Sequence, residues 1–118
     1  MSESELLAGC LEYVQYLRNQ GRVFCIRINS GMAYFGQGSK KYAIRLAPEG
    51  TADILCIYWW HPPGAPNKGE TKVLWIETKD IDGKQSEAQI AFQKEVEEYG
   101  CRYEIVRNLD ELVALTEG

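Results

Sequence analysis

The sequence predicts an α/β fold in which a central mixed β-sheet is flanked by helices. Three observations lead there. Apolar residues recur at helical spacing near the start of the chain and again after residue 86. Between these stretches lie short apolar runs rich in β-branched and aromatic residues, broken by Gly and Pro. A further strand pattern then separates the second helix from a third. The chain has 118 residues, 45% apolar and 25% charged, which fits one globular domain over 1–118.

Residues 4–18 read as a helix, because Leu7, Cys10, Leu11, Val14 and Leu17 share a stripe and Ser2 with Glu5 can form a capping box. Val23–Ile28 reads as a strand with apolar side chains on both faces, which predicts burial on both sides. The turn-rich segment NSGMAYFGQGSKK is expected to contain a hairpin, and Tyr42–Leu46 is a short strand. After the turn APEGTA, Asp53–Trp60 forms a strongly apolar strand. The loop HPPGAPNKGETK, residues 61–72, joins it to the strand Lys72–Thr78. Ser86 opens a second helix with Gln89 as its box partner, and Gly100 ends it. Arg102–Val106 is a strand, and Asn108 with Glu111 opens a short last helix.

Several function classes become improbable on composition. No apolar run approaches the ~20 residues of a membrane span, and the opening MSESELLAG lacks a signal-peptide pattern. A cytoplasmic protein is expected, with no membrane partner. Cys10, Cys25, Cys56 and Cys101 are widely spaced within apolar stretches, which reads as four reduced, buried thiols. No structural zinc site is expected, since His61 is the sole histidine and lies in a proline-rich loop.

Charge is unevenly spread. The net charge is −4, yet Arg18, Arg22, Arg27, Lys40, Lys41 and Arg45 form a stretch without an acid. From Glu95 onward seven acids face two arginines. The asymmetry suggests a basic face on an acidic body, the footprint of a polyanionic partner.

The chemistry concentrates on two neighbouring strands. Glu77 and Lys79, two residues apart, project to one face, while Ile76 and Thr78 point the other way. A loop joins this strand to the one before it, so the two are expected to pair antiparallel. That brings Asp53 close to Glu77 across the ladder. Two adjacent carboxylates repel each other. A hard divalent cation, Mg²⁺ or Mn²⁺, relieves that repulsion and can polarise a phosphate oxygen. The bland alternative is an exposed cross-strand ion pair.

The ordered pieces ESELLAGCLEYV, CIRINSG, GTADIL, WIETK, DGKQS, EAQIAFQKEV and GCRYEIV resemble the VRR-NUC family of the PD-(D/E)XK nuclease superfamily, in its small stand-alone phage and bacterial form. The resemblance implies a restriction-endonuclease-like core and a metal-dependent DNA endonuclease. Asp53, Glu77 and Lys79 would match the motif's two acids and lysine, and Thr78 would lend its backbone carbonyl to the metal. Glu5 would match the first-helix acid, with Glu3 and Glu12 as rivals and the spacing to Tyr13 favouring Glu5. Gln89 would match the second-helix glutamine. Glu5 and Gln89 are also third residues of capping boxes, so cap and site compete at both positions. Two departures stand out: Ala52 replaces a frequent proline, and the 61–72 loop is long.

Similar stand-alone proteins act as homodimers on branched DNA, including four-way junctions, which implies the same partners here. Arg27, Asn29 and Ser30, at a strand end, and Lys40, Lys41 and Lys84 are the candidate phosphate contacts. The alternative is a DNA-binding module that keeps the fold without cutting.

Overall fold

The computed structural model describes residues 1–117. The elements run α1 (Glu3–Asn19), β1 (Phe24–Arg27), β2 (Met32–Phe35), β3 (Tyr42–Arg45), β4 (Ile54–Trp60), β5 (Glu70–Thr78), α2 (Glu87–Glu98), β6 (Arg102–Val106) and α3 (Leu109–Glu117). The main sheet has the order β1-β4-β5-β6. Its first three strands pair antiparallel, whereas β5 and β6 are parallel and joined through α2. The mixed sheet flanked by helices agrees with the sequence.

The caps explain where the helices begin and end. Ser2 Oγ accepts the Glu5 N–H and Ser86 Oγ accepts the Gln89 N–H, each reciprocated by the Glu or Gln side chain. Asn108 Oδ1 accepts the Glu111 N–H at 2.9 Å. At the far end of α2, Gly100 adopts φ +86°. Its N–H and that of Cys101 bond the carbonyls of Glu97 and Val96, a Schellman closure that turns the chain into β6.

Alternation along the strands builds three layers. Cys25, Cys56, Leu74 and Ile76 face α1 and α3, where Leu6, Cys10, Val14 and Leu112 complete the core. On the opposite face, Phe92 of α2 packs edge-on against Trp75 and also meets Tyr103. Removing a side chain such as Ile76, fully excluded from solvent, would cost about 2–5 kcal/mol.

Three expectations need correction. β1 is an edge strand and only Cys25 is buried on it; Phe24 and Ile26 stand exposed, because α2 covers β5 and β6 and stops short of β1. The expected hairpin is present, with β2 and the turn supplied by the turn-rich segment and β3 as its second strand. Its β2 pairs with β3, making a two-stranded ribbon outside the main sheet. Cys101 is half-buried, unlike the other three thiols. β5 also starts at Glu70, two residues earlier than expected, so the preceding loop is shorter and contains a 3₁₀ turn at Pro66–Lys68. No helix among the described residues is long and apolar enough to cross a membrane.

Candidate metal and phosphodiester site

The site lies where the β4–β5 ladder begins and ends. Ile54 stands opposite Ile76, which places Asp53, one residue before β4, opposite Glu77. Asp53 is held from both sides. Its carbonyl accepts the Ile28 N–H at 2.8 Å, continuing the β1 pairing past the end of that strand. Its Oδ2 accepts both the N–H and the hydroxyl of Thr78, each at 2.8 Å. Charge-assisted bonds of this kind fix a carboxylate firmly.

The turn before Asp53 is locked as well. Thr51 Oγ1 donates to the Pro48 carbonyl at 2.6 Å, and Ala52 is fully buried. Gly50 has φ +89°, and a Cβ there would run into the backbone of Ala88 in α2. Only glycine lets this turn lie on the start of α2.

Glu77 is 2% exposed. Its Oε1 accepts the Gln89 Nε2–H at 3.2 Å, while its Oε2 is buried without a hydrogen-bond partner. Burial pushes the carboxyl up to about 8, and the nearby Asp53 charge pushes in the same direction. The Lys79 ammonium opposes both with a smaller effect. An orphaned buried carboxylate oxygen is expensive unless a proton or a cation satisfies it.

Lys79 follows in the same strand direction and is also buried. Its N–H bonds the Val106 carbonyl at 3.1 Å. Its ammonium makes no salt bridge among the described residues, so it is close enough to influence Glu77 without neutralising it. The turn that follows lies on its stem: a Cβ on Gly83 would approach the Lys79 Cδ to 3.3 Å. Arg107 clamps that turn by donating to the carbonyls of Asp80 and Gly83 at 2.8 and 2.7 Å.

Gln89 resolves the competition between cap and site by doing both. Its Oε1 accepts the Ser86 N–H at 2.8 Å while its Nε2 reaches Glu77. The capping box therefore aims the amide at the carboxylate. Glu5 behaves differently. It is exposed and its carboxylate caps Ser2, so the structure does not bring it to the pair. Glu3 is the first-helix acid whose charge reaches Glu77. The reason is helical phase. Glu3 lies three and seven residues before Leu6 and Cys10, on the buried stripe, and Glu5 and Glu12 lie off it. That phase was readable in the sequence. The Arg107 clamp was not, since it spans 24 and 27 residues without a local pattern.

The donor set suits a hard cation. Asp53 and Glu77 supply carboxylate oxygen, and Thr78 contributes the backbone between them and Lys79. No group of three or more His, Cys, Asp or Glu side chains gathers among the described residues. A cation here would complete its shell with backbone oxygen and water, the habit of Mg²⁺.

The candidate phosphate contacts divide into groups. Arg27 and Asn29 are exposed beside the Asp53 end of the sheet, and Asn29 Oδ1 accepts the Gly31 N–H in a local turn. Ser30 is half-buried and its carbonyl accepts a bond from Arg45 at 3.0 Å. Lys84 is exposed in the turn after Lys79. Lys40 and Lys41 sit at the far tip of the β2–β3 ribbon, away from the carboxylates. Comparison with protein-family models, with curated proteins and with solved structures returns no match for this chain.

Proposed function

We propose that this chain is a metal-dependent DNA endonuclease with a PD-(D/E)XK core, hydrolysing phosphodiester bonds in branched DNA such as four-way junctions. It would work as a homodimer in the cytoplasm of a bacterial or phage-infected cell. The observation that carries the reading is the Asp53–Glu77 pair. Two carboxylates stand opposite each other with a buried orphan oxygen, and two residues on lies a lysine that makes no salt bridge among the described residues.

Asp53, Glu77 and the Thr78 carbonyl would hold Mg²⁺ or Mn²⁺, which supplies Lewis acidity at a phosphate oxygen when bound. Thr78 fixes the Asp53 oxygen through two hydrogen bonds, and Gln89 fixes Glu77 through one. Neither carboxylate then needs to reorganise as the reaction proceeds. Lys79, charged and poorly solvated, would offset the negative charge that grows on the phosphorus-bound oxygens. Arg27, Lys84 and the ribbon-tip lysines would engage flanking phosphates, giving affinity without base preference.

The test is cleavage of a labelled panel of single strand, duplex, flap and four-way junction DNA with Mg²⁺, Mn²⁺ or EDTA. Metal-dependent cutting should fall by at least ~100-fold in Lys79→Ala. Binding without cutting, by folded wild-type protein in either metal, would reject the enzyme and favour the DNA-binding module.

A further inference from the structure

The β2–β3 ribbon is built as a projecting arm. Neither strand packs substantially on another helix or strand, and the molecule measures 62 × 30 × 29 Å. The radius of gyration is 16.5 Å, against about 13–14 Å for a compact chain of this length. The root of the arm lies at the carboxylate end of the sheet. The Ile28 N–H bonds the Asp53 carbonyl, and Gly31 closes the root by accepting the Leu46 N–H at 3.0 Å. Strands of this length carry the tip about 15 Å from that root.

The arm combines rings with cations. Phe35 and Tyr42, opposite each other on the ladder, stack with centroids 5.5 Å and planes 22° apart. They are 47% and 56% exposed, and Tyr34 on the other face is 77% exposed. Tyr34, Phe35, Tyr42 and Lys41 line an open groove of about 520 Å³, a size that suits an organic ring system. A Cβ on Gly36 would run into the Lys40 carbonyl, so the turn is tight and Lys41 stays beside the rings. Lys40 and Lys41 are exposed and make no salt bridge among the described residues. No Asp or Glu occurs from residue 13 to residue 48.

Uncovered rings alone would fit any apolar partner, and the charge decides between occupants. An unpaired DNA strand brings a phosphate for each cation and a π-face for each ring. In a duplex those faces are covered by the neighbouring bases, so only unpaired nucleotides can use the rings.

We infer that the β2–β3 arm is a stacking platform for unpaired DNA. Bases stack on Phe35, Tyr42 and Tyr34, while Lys40 and Lys41 hold the phosphates that link them. The bound strand leaves the arm at its root, beside Asp53. The inference rests on the nuclease reading and narrows its substrate, from branched DNA in general to branches that expose unpaired nucleotides, such as flaps.

The experiment is fluorescence anisotropy of the full chain on a labelled thymidylate single strand and on a duplex of the same length, in EDTA so that nothing is cut. Wild type should bind the single strand at least ~10-fold more tightly than the duplex. Phe35→Leu/Tyr42→Leu keeps apolar bulk on the ladder and removes both rings. It should lose at least ~10-fold in single-strand affinity with its salt dependence unchanged. Tyr34→Ala removes the arm's most exposed ring, disturbs the ribbon least, and should lose at least ~5-fold. Phe35→Tyr/Tyr42→Phe keeps two rings and should bind like wild type. Lys40→Gln/Lys41→Gln should instead reduce the slope of log K against log salt by about 1.4. Circular dichroism of each variant should match wild type, since the arm lies outside the main sheet. No single-strand binding by wild type, equal affinity for single strand and duplex, or wild-type affinity in both ring-removing variants would overturn the inference. Failure of the nuclease reading looks different: the arm would still tell the two DNAs apart, yet added Mg²⁺ or Mn²⁺ would produce no cutting.

Discussion

The carboxylate end of the β4–β5 ladder and the β2–β3 arm break the burial rule in opposite directions. At the ladder end, Glu77 and Lys79 are charged groups that the fold has buried, with one carboxylate oxygen unsatisfied. On the arm, Phe35, Tyr42, Ile44 and Leu46 are apolar groups that the fold has left in water. Neither arrangement serves the stability of the isolated chain. The two differ in how firmly they are held. Each site carboxylate is fixed by neighbours on another element, whereas the arm depends on its own ladder. A preorganised polar site suits a small ion, and a free apolar ribbon suits a large surface.

Substitutions can break this comparison in order of size. The largest stability effect belongs to Glu77→Gln. The folded Glu77 value of about 8 lies above the ordinary 4.5, so between those values the folded state binds more protons than the unfolded one. The contribution of Glu77 is fully present below the lower value and lost as pH rises through the upper one. Urea unfolding of the metal-free protein should therefore show stability falling across that window. Glu77→Gln should flatten the fall and raise stability at pH 8 by roughly 2–3 kcal/mol, even as cutting disappears. An unchanged slope would mean that the carboxyl is not proton-linked to folding.

Arg107→Ala comes next. It frees the Asp80 and Gly83 carbonyls and should cost about 1–3 kcal/mol by urea unfolding. Because the clamped turn lies against Lys79, cleavage should weaken as well; full activity would remove the positioning role. Glu5→Ala is the smallest. It loses a helix cap worth about 1 kcal/mol or less, and cutting should stay near wild type. Glu3→Ala, on the buried stripe, should lower the Glu77 value and shift the stability slope. A large activity loss in Glu5→Ala would return Glu5 to the site.

Much of this was legible because it depends on local chemistry. Ser2–Glu5, Ser86–Gln89 and Asn108–Glu111 marked three helix starts, and the loop between two apolar runs implied the pairing that sets Asp53 opposite Glu77. What was not legible depends on which layer covers which strand. The run VFCIRI looks buried on both sides, yet its exposure is decided by where α2, Glu87–Glu98, stops, far along the chain from it. The ribbon was hidden for a related reason: its two strands are visible in sequence, but their failure to join the sheet is not. Gln89 shows that cap and site need not be alternatives, since the geometry that satisfies the helix end also aims the amide.

The most direct test of the central claim is thermal unfolding at pH 8 with and without Mg²⁺ or Mn²⁺, for wild type and Glu77→Gln. A cation held by Asp53 and Glu77 should stabilise wild type by about 2–3 kcal/mol at a hundredfold excess over its Kd, and should have little effect on the variant. No shift in wild type, or an equal shift in Glu77→Gln, would contradict the assignment of this pair as a metal site.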